Sequence, residues 1–222
     1  MNFKSRRFVI LEKISFQMRK ITLIAALIAL ALMPLKALGE VSAARILGSV
    51  EKSLFSTPSA EIFFTITSDG ASTQGSAKIQ GAMFTFTTPR LMAWYDGTTQ
   101  WAFQTSTGEV NISEPTADEI MAMNPFGILG QPHTYYNIRR LKSPAGLYLV
   151  RLDPKAKGTG IDHIDLCCNS RDYMPVRLTV TFDDARTLDL TVDRIVHGNQ
   201  LPAASFRYDS KLYPAKEIID LR

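Results

Sequence analysis

The spacing of apolar residues changes at Pro58, and this change restricts the fold more than any other feature of the chain. Before Pro58, the segment 40–55 places Val41, Ile46, Val50 and Leu54 at helical spacing. After it, apolar and polar residues alternate, as in AEIFFTIT (60–67), and Gly, Pro and Asp-Gly separate the alternating runs. The sequence therefore predicts one leading amphipathic helix followed by many short strands.

The alternating runs continue to the end of the chain with one helical interruption. At that interruption Thr116 and Glu119 form a capping box, and a short apolar helix follows it and ends before Pro125. The predicted strands are 60–67, 76–80, 83–88, 91–95, 100–104, 109–113, 136–141, 147–152, 161–168, 176–182 and 187–196. The fold class is therefore α+β, with a large antiparallel sheet that curls to hide one face and helices that cover that face.

Asp96-Gly97 predicts a hairpin between two aromatic strands. A four-residue closure over residues 96–99 sets Trp94 opposite Trp101. A two-residue loop sets Trp94 opposite Thr99 instead, and the sequence leaves both registers open.

The amino terminus has the pattern of a secretory signal peptide. Basic residues 19 and 20 precede the 13-residue apolar run 21–33, which Pro34 ends and which is too short to span a bilayer. Small residues at Ala37 and Gly39 predict cleavage before Glu40, with cleavage after Ala43 as the alternative. Residues 1–17 either lengthen this leader or precede a true start at Met18. We therefore expect residues 1–39 to be removed, leaving a single exported domain at 40–222.

The charge of the predicted mature chain argues against a nucleic-acid or anionic-membrane partner. The leader carries seven of the 25 basic residues and one of the 21 acidic residues, so the remainder has 18 basic and 20 acidic residues and a net charge of −2. Only short basic stretches such as 139–142 remain, whereas nucleic-acid binding calls for a basic stripe.

No catalytic or metal-binding motif is evident in the sequence. Asp162, His163, Asp165 and Cys167 lie close together, but strand alternation puts the last three on the polar face of a half-buried strand. His133 and His197 are isolated in turn-like contexts. We therefore predict no enzyme activity, no metal and no cofactor. Cys167 and Cys168 are interpreted as ordinary strand residues, with a strained vicinal disulfide as the alternative.

Large aromatic, methionine and aliphatic side chains are concentrated on a few predicted elements. They have two interpretations, a filled core and the wall of an apolar cavity, since a curled sheet can hold a ligand on its concave face. The candidate cavity residues on strands are Phe84, Phe86, Met92, Trp94, Trp101 and Phe103, and those on the helical segment are Ile120, Met121, Met123, Phe126 and Leu129.

Three segments resemble the LolA family of periplasmic carriers, which move lipoproteins between the two membranes of a Gram-negative envelope. They are TPRLMAWYDGTTQW, NISEPTADEIMAMNPFGIL and the closing FRYDSKLYPAKEIIDLR, which is similar to the end of the shorter, divergent members. The resemblance implies an unclosed antiparallel barrel whose concave apolar face is covered by helices, with acyl chains held between them.

The same resemblance implies a monomeric carrier of acylated lipoproteins or lipids that works towards the outer membrane. Its expected partners are an inner-membrane transporter that releases the cargo and an outer-membrane acceptor. The alternative is a non-shuttling lipid sensor or interaction module of the same fold. The cavity interpretation further predicts that Trp101→Ala weakens lipid binding at a smaller cost in stability than the loss of a core aromatic.

One position departs from the family pattern. Family carriers have an Arg directly before the Pro of the first segment, where it takes part in closing the helical cover. Here Thr88 precedes Pro89 and Arg90 follows it. No role in closure is therefore carried over to Arg90.

Overall fold

The computed structural model describes residues 40–116, 120 and 132–222. The first element, α1 (Ala43–Leu54), begins at Ser42, whose hydroxyl oxygen accepts a hydrogen bond from the backbone N–H of Arg45 at 3.3 Å. Ile46, Leu47, Val50 and Leu54 form its buried stripe. The predicted leading helix is thus present. None of the helices among the described residues has the length and apolarity needed to cross a membrane.

The strands form one curled sheet that is not closed. Their bounds are β1 (Ser59–Ser68), β2 (Ala71–Gln80), β3 (Met83–Thr87), β4 (Leu91–Tyr95), β5 (Gln100–Gln104), β6 (Glu109–Ser113), β7 (Tyr136–Leu141), β8 (Leu147–Pro154), β9 (Ile161–Asn169), β10 (Pro175–Phe182), β11 (Thr187–Gly198) and β12 (Glu217–Asp220). Their order in space is β12-β6-β5-β4-β3-β2-β1-β11-β10-β9-β8-β7. All neighbours are antiparallel except β12 and β6, which are parallel. The predicted open, antiparallel α+β architecture is confirmed.

The inner face of the sheet is the face that α1 covers, and it holds the main hydrophobic core. Helix α1 packs across β7 and β8, and a short second helix, α2 (Pro132–Tyr135), packs on β7. Side chains that pair across the strands point to the same face, so the register identifies the inner residues. Those that are buried together with α1 include Ile62, Phe64, Ile79, Phe84, Tyr95, Leu152, Leu166, Leu178 and Leu190.

The apolar face changes sides between β3 and β6. On β3 the inner residues Phe84 and Phe86 are aromatic, and the outer ones are Met83, Thr85 and Thr87. On β5 the inner positions are Gln100, Ala102 and Gln104, whereas Trp101 and Phe103 point outward. The sheet therefore needs a second hydrophobic cover on its outer face.

That cover is the segment between β11 and β12, which we call the C-terminal strap (residues 199–216). Near its start, Leu201 exchanges two hydrogen bonds with the side chain of Gln80, at 2.7 and 3.1 Å. A 3-10 helix (Ala203–Phe206) then brings the fully buried Phe206 to β3. The strap finally leads into β12 through a hydrogen bond from the Lys216 N–H to the Gly108 carbonyl at 2.8 Å.

Candidate functional site

Aromatic rings line the inner face where β1, β2 and β3 meet. The Phe64 and Phe86 rings stack with their centroids 5.3 Å apart, and Phe84 lies 5.4 Å from Tyr95 on the next strand. Gly75 provides the space for the Phe64 ring, because a Cβ at this position would lie 2.5 Å from Cε2 of Phe64. Two of the predicted cavity residues, Phe84 and Phe86, are therefore together on the inner face.

Of the five predicted cavity residues on the helical segment, the structure describes only Ile120. Ile120 is helical, its N–H donates to the Thr116 carbonyl at 3.0 Å, and its side chain packs against the inner core. The other predicted cavity residues of this segment, Met121, Met123, Phe126 and Leu129, lie outside the described residues. Their contact with lipid stays a prediction.

An open groove of about 230 Å³ lies beside α1. Its walls are Ala44, Leu47, Gly48 and Glu51 of α1 on one side and residues 132–134 on the other. A Cβ built on Gly48 would meet no atom within 4 Å. Of the α1 residues in the groove only Leu47 belongs to the buried stripe, and the other three are exposed, so the groove runs along the edge of the helix and not beneath it.

The six candidate strand residues do not all share one face of the sheet. Trp94 pairs with Thr85 and Trp101, and Met92 pairs with Thr87 and Phe103, so all four candidates on β4 and β5 point outward. The reason is the register, in which Tyr95 rather than Trp94 is opposite Phe84. Strand alternation then sends Trp94 to the other face. The four-residue closure of the hairpin is confirmed, since the Asp96 N–H donates to the Thr99 carbonyl and Trp94 pairs with Trp101.

The outward aromatic residues pack against the C-terminal strap. The Trp94 ring lies 5.7 Å from Tyr208 and 5.1 Å from Tyr213, and Phe103 lies 6.5 and 6.3 Å from the same two rings. Trp94 is buried as a result, while Met92, Trp101 and Phe103 are half-buried. Trp94 and Phe103 thus take part in a core on the outer face, while the effect of Trp101→Ala on lipid binding stays a prediction.

A salt bridge joins the strap to the β4–β5 hairpin. Nε of Arg207 donates to Oδ2 of Asp96 at 2.8 Å, and Oδ1 of Asp96 accepts from the backbone N–H groups of Thr98 and Thr99. Burial by itself would raise the pKa of Asp96. The hydrogen bonds from Thr99, Thr98 and Arg207 outweigh burial, so the pKa of this carboxyl is lowered.

The turn between β3 and β4 is held by Thr88. Its N–H and its hydroxyl both donate to the Leu91 carbonyl, at 2.8 and 3.1 Å, and its hydroxyl oxygen accepts from the Leu91 N–H. Thr105 closes over the turn through bonds to the carbonyls of Arg90 and Pro89. The Arg90 side chain is exposed in this turn.

The polar cluster of β9 lies on the outer face, as alternation predicts. Asp165 accepts two hydrogen bonds from Arg151, from Nε at 2.7 Å and from Nη2 at 2.6 Å. The His163 ring contacts Asp162 at 2.6 Å and Thr181 at 3.2 Å. Within the part of the chain that the structure describes, no group of three His, Cys, Asp or Glu side chains is arranged to hold a metal ion. These contacts form a network of ion pairs and hydrogen bonds on the outer face of the sheet.

The two cysteines are free thiols on opposite faces of β9. Cys168 is fully buried in the inner core, and this burial raises the pKa of its thiol to about 12. Cys167 is half-buried on the outer face, and burial also raises the pKa of its thiol. Both residues lie within a regular strand, as the first interpretation has them.

Taken together, the fold defines a class of protein with an unclosed antiparallel sheet and a helical layer over its apolar inner face. The chain belongs to the family described as outer membrane lipoprotein carrier protein LolA, whose sequence pattern matches residues 43–183. A comparison with curated protein sequences gives no match.

Several solved structures are similar to this chain at low sequence identity. An uncharacterised conserved protein from Thermus thermophilus is 15% identical with a TM-score of 0.54, and the match covers 80% of this chain and 98% of that one. A LolA superfamily protein from Nitrosomonas europaea is 13% identical, with a TM-score of 0.47 and coverages of 76% and 99%. An outer membrane lipoprotein-sorting protein domain from Vibrio parahaemolyticus is 10% identical, with a TM-score of 0.45 and coverages of 74% and 97%. At these identities the likeness concerns the fold alone.

Sequence reasoning missed residues on both faces. Phe64 stacks on Phe86 in the inner aromatic group, and the alternation of AEIFFTIT could have identified it. Tyr208 and Tyr213 cover the outer aromatics, but the sequence around them has neither strand nor helix periodicity. Only the number of aromatic residues in FRYDSKLYP could have indicated a packed segment.

Proposed function

We propose that this protein is a periplasmic carrier that holds the acyl chains of lipoproteins between the inner face of the sheet and its helical cover, and transfers them towards the outer membrane. Membership of the carrier family supports this function. The single observation that carries the assignment to the inner face is the group of Phe64, Phe84 and Phe86, which lies beneath the helical layer rather than under the strap. The outer aromatic cluster already has its own cover.

The close packing of the inner face determines how binding and release work in this proposal. Ile62, Phe64 and Leu152 are fully buried there, against Ile46 and Val50 of α1. Burying one acyl methylene contributes about 0.8 kcal/mol, so a long chain contributes on the order of 10 kcal/mol. An acyl chain therefore displaces part of the helical layer as it enters. When the helices pack back on the sheet, they recover part of that energy, and the cargo can leave.

A pair of aromatic substitutions on the two faces tests the location of the site. Phe86→Ala removes an inner ring, and we expect it to weaken the binding of a fluorescent fatty-acid probe, because its contact with the acyl chain is lost. Phe103→Ala removes a ring of the same size from the outer face and is the matched control. Probe binding that falls with Phe103→Ala and not with Phe86→Ala would refute the inner-face site.

The cargo can be identified directly. Protein gently extracted from its native envelope should carry acylated lipoprotein or lipid, detectable by mass spectrometry. The predicted signal peptide and periplasmic location are checked in the same preparation, because the mature protein should start near Glu40 or Ala44. Recovery of protein without any lipid would count against the carrier function.

The alternative function is a non-shuttling lipid sensor or interaction module, and depletion separates it from a carrier. Loss of a carrier should leave outer-membrane lipoproteins in the inner membrane. A carrier would normally receive them from an inner-membrane releasing transporter and deliver them to an outer-membrane acceptor. Loss of a sensor should leave their distribution intact and change a response instead.

We further propose that the protein is not an enzyme. The side chains of His163 and Asp165 point away from the inner face and are held by Thr181 and Arg151. His163→Ala should therefore leave binding of the fatty-acid probe unchanged. An activity that depends on His163 would contradict this proposal.

A further inference from the structure

The two edges of the open sheet differ in how well they are protected. At one edge, β7 packs against α1, and Nη1 of Arg140 donates to the Val41 carbonyl at 3.2 Å. The exposed side chains of β7 are polar, Asn137 and Arg139. At the other edge, no strand among the described residues pairs with the outer side of β12. Charged or covered edges resist pairing with another chain, whereas a bare edge invites it.

The bare edge also carries exposed apolar side chains. Ile218 in the middle of β12 is 55% exposed, and Leu221, just after it, is 65% exposed. The register with β6 puts Ile218 on the same face as Val110, which is completely buried. An added strand would therefore extend an existing apolar surface of the outer face by covering Ile218.

The inner side of the same edge is acidic. Glu217 pairs directly with Glu109, so two carboxylates lie side by side on neighbouring strands, and neither has an ion-pair partner among the described residues. Like charges at directly paired positions destabilise a sheet. Asp220 lies on the outer face instead and is paired with Arg222 at 2.6 Å. A cation beside the Glu109–Glu217 pair would relieve the repulsion.

We propose that the outer edge of β12 is a docking site for an extended peptide segment of a partner protein in which apolar residues alternate with Lys or Arg. Its backbone adds a thirteenth strand to the sheet, which is an established mode of peptide recognition. Its apolar side chains pack on Ile218, and its cations face Glu217 and Glu109. A second copy of this chain fits less well, because β12 itself holds two acidic residues and no cation.

Peptide titration of the ¹⁵N-labelled protein tests this site. The probe is an eight-residue peptide of alternating Lys and Val, and the matched peptides replace every Lys by Glu or place Pro at two central positions. We expect the Lys peptide to shift the backbone amide signals of β12 and β6, and to bind about tenfold more tightly than the Glu peptide. Shifts confined to other strands, or equal binding of the Pro peptide, would overturn the proposal.

Reversing the charge of Glu217 provides a second test of the docking site. Glu217→Lys changes an exposed residue and removes a like-charge pair, so the variant should fold and should prefer the Glu peptide. Glu51→Lys changes an exposed glutamate of α1 and is the matched control. It should keep the wild-type preference for the Lys peptide. Unchanged preference in Glu217→Lys, or a dimer through β12 seen in sedimentation without peptide, would refute docking of a foreign cationic strand. Neither outcome depends on what the inner face binds.

Discussion

Among the glycines that the structure describes, Gly75 has the least room for an added Cβ atom. A Cβ there would lie 2.5 Å from Phe64 Cε2 and 2.7 Å from the Thr87 carbonyl oxygen, and one of these two neighbours is rigid backbone. Gly75→Ala should therefore lower the free energy of unfolding by about 1–3 kcal/mol, as overpacking does in a filled core. Urea denaturation measures the change.

Gly48 provides the matched control for Gly75. It lies inside α1, and an added Cβ meets nothing within 4 Å. Gly48→Ala should raise stability by up to about 1 kcal/mol through helix propensity. Equal effects of the two substitutions would show that space at Gly75 is not what limits the packing of Phe64.

Asp96 makes part of the stability depend on pH. Its pKa in the folded protein is lowered, so the ionised carboxylate stabilises the fold above the pKa of the unfolded chain, and this contribution is lost as the pH falls through the folded pKa. Asp96→Asn should therefore be less stable than wild type at pH 7, and the difference should shrink in acid. Thermal unfolding between pH 7 and pH 2 measures it.

Asp184 serves as the control for Asp96. Its pKa is also lowered, first by a hydrogen bond from Arg186, but the pair lies two residues apart in an exposed turn. Asp184→Asn should change stability little at any pH, because exposed local ion pairs contribute little. A loss equal to that of Asp96→Asn would argue against the importance of the strap contact at Arg207.

At the scale of elements, the C-terminal strap behaves as part of the core. Phe206 is fully buried, so Phe206→Ala should cost about 3–5 kcal/mol, as other large-to-small core changes do. Leu212 belongs to the same strap but is 71% exposed, and Leu212→Ala should change stability by less than about 0.5 kcal/mol. Guanidinium unfolding of both variants tests this. A loss of stability confined to Leu212→Ala would contradict the packing described for the strap.

The elements that sequence predicted well are those whose own pattern decides their structure. The stripe of Ile46, Leu47, Val50 and Leu54 predicted α1, and alternation predicted β1 and β3 to within one residue at each end. β2 begins at Ala71 instead of Ser76, because its first half is polar and is held by pairing with β1. β12 is parallel to β6 and depends on the strap for its position, so no local signal located it.

At the scale of the whole molecule, one sheet supports two cores. The inner core lies under α1, and the outer core lies under the strap, with β3 and β4 contributing to both. Sequence patterns could not assign Trp94 and Phe86 to different cores, since that assignment depends on the register across the 88–90 turn. Alternation within a strand fixes which residues share a face, but not which face it is.

Because the inner and outer cores share β3 and β4, we expect them to unfold together. Trp94 and Trp101 both point outward, so tryptophan fluorescence reports on the outer core, whereas far-ultraviolet circular dichroism reports on the whole sheet. We expect the two signals to give the same urea midpoint, as in two-state unfolding. A fluorescence change that precedes the loss of circular dichroism would show that the strap detaches before the sheet unfolds.

The opposite orientation of the two cysteines gives the chain a built-in chemical reporter. A thiol reagent should modify Cys167 first, while Cys168 stays unreactive behind α1 with a thiol pKa of about 12. The rate of the second modification then measures how often the helical layer lifts from the sheet, without any engineered label. If an acyl ligand enters as proposed, it should change that rate, and mass spectrometry of the doubly modified protein would follow the opening over time.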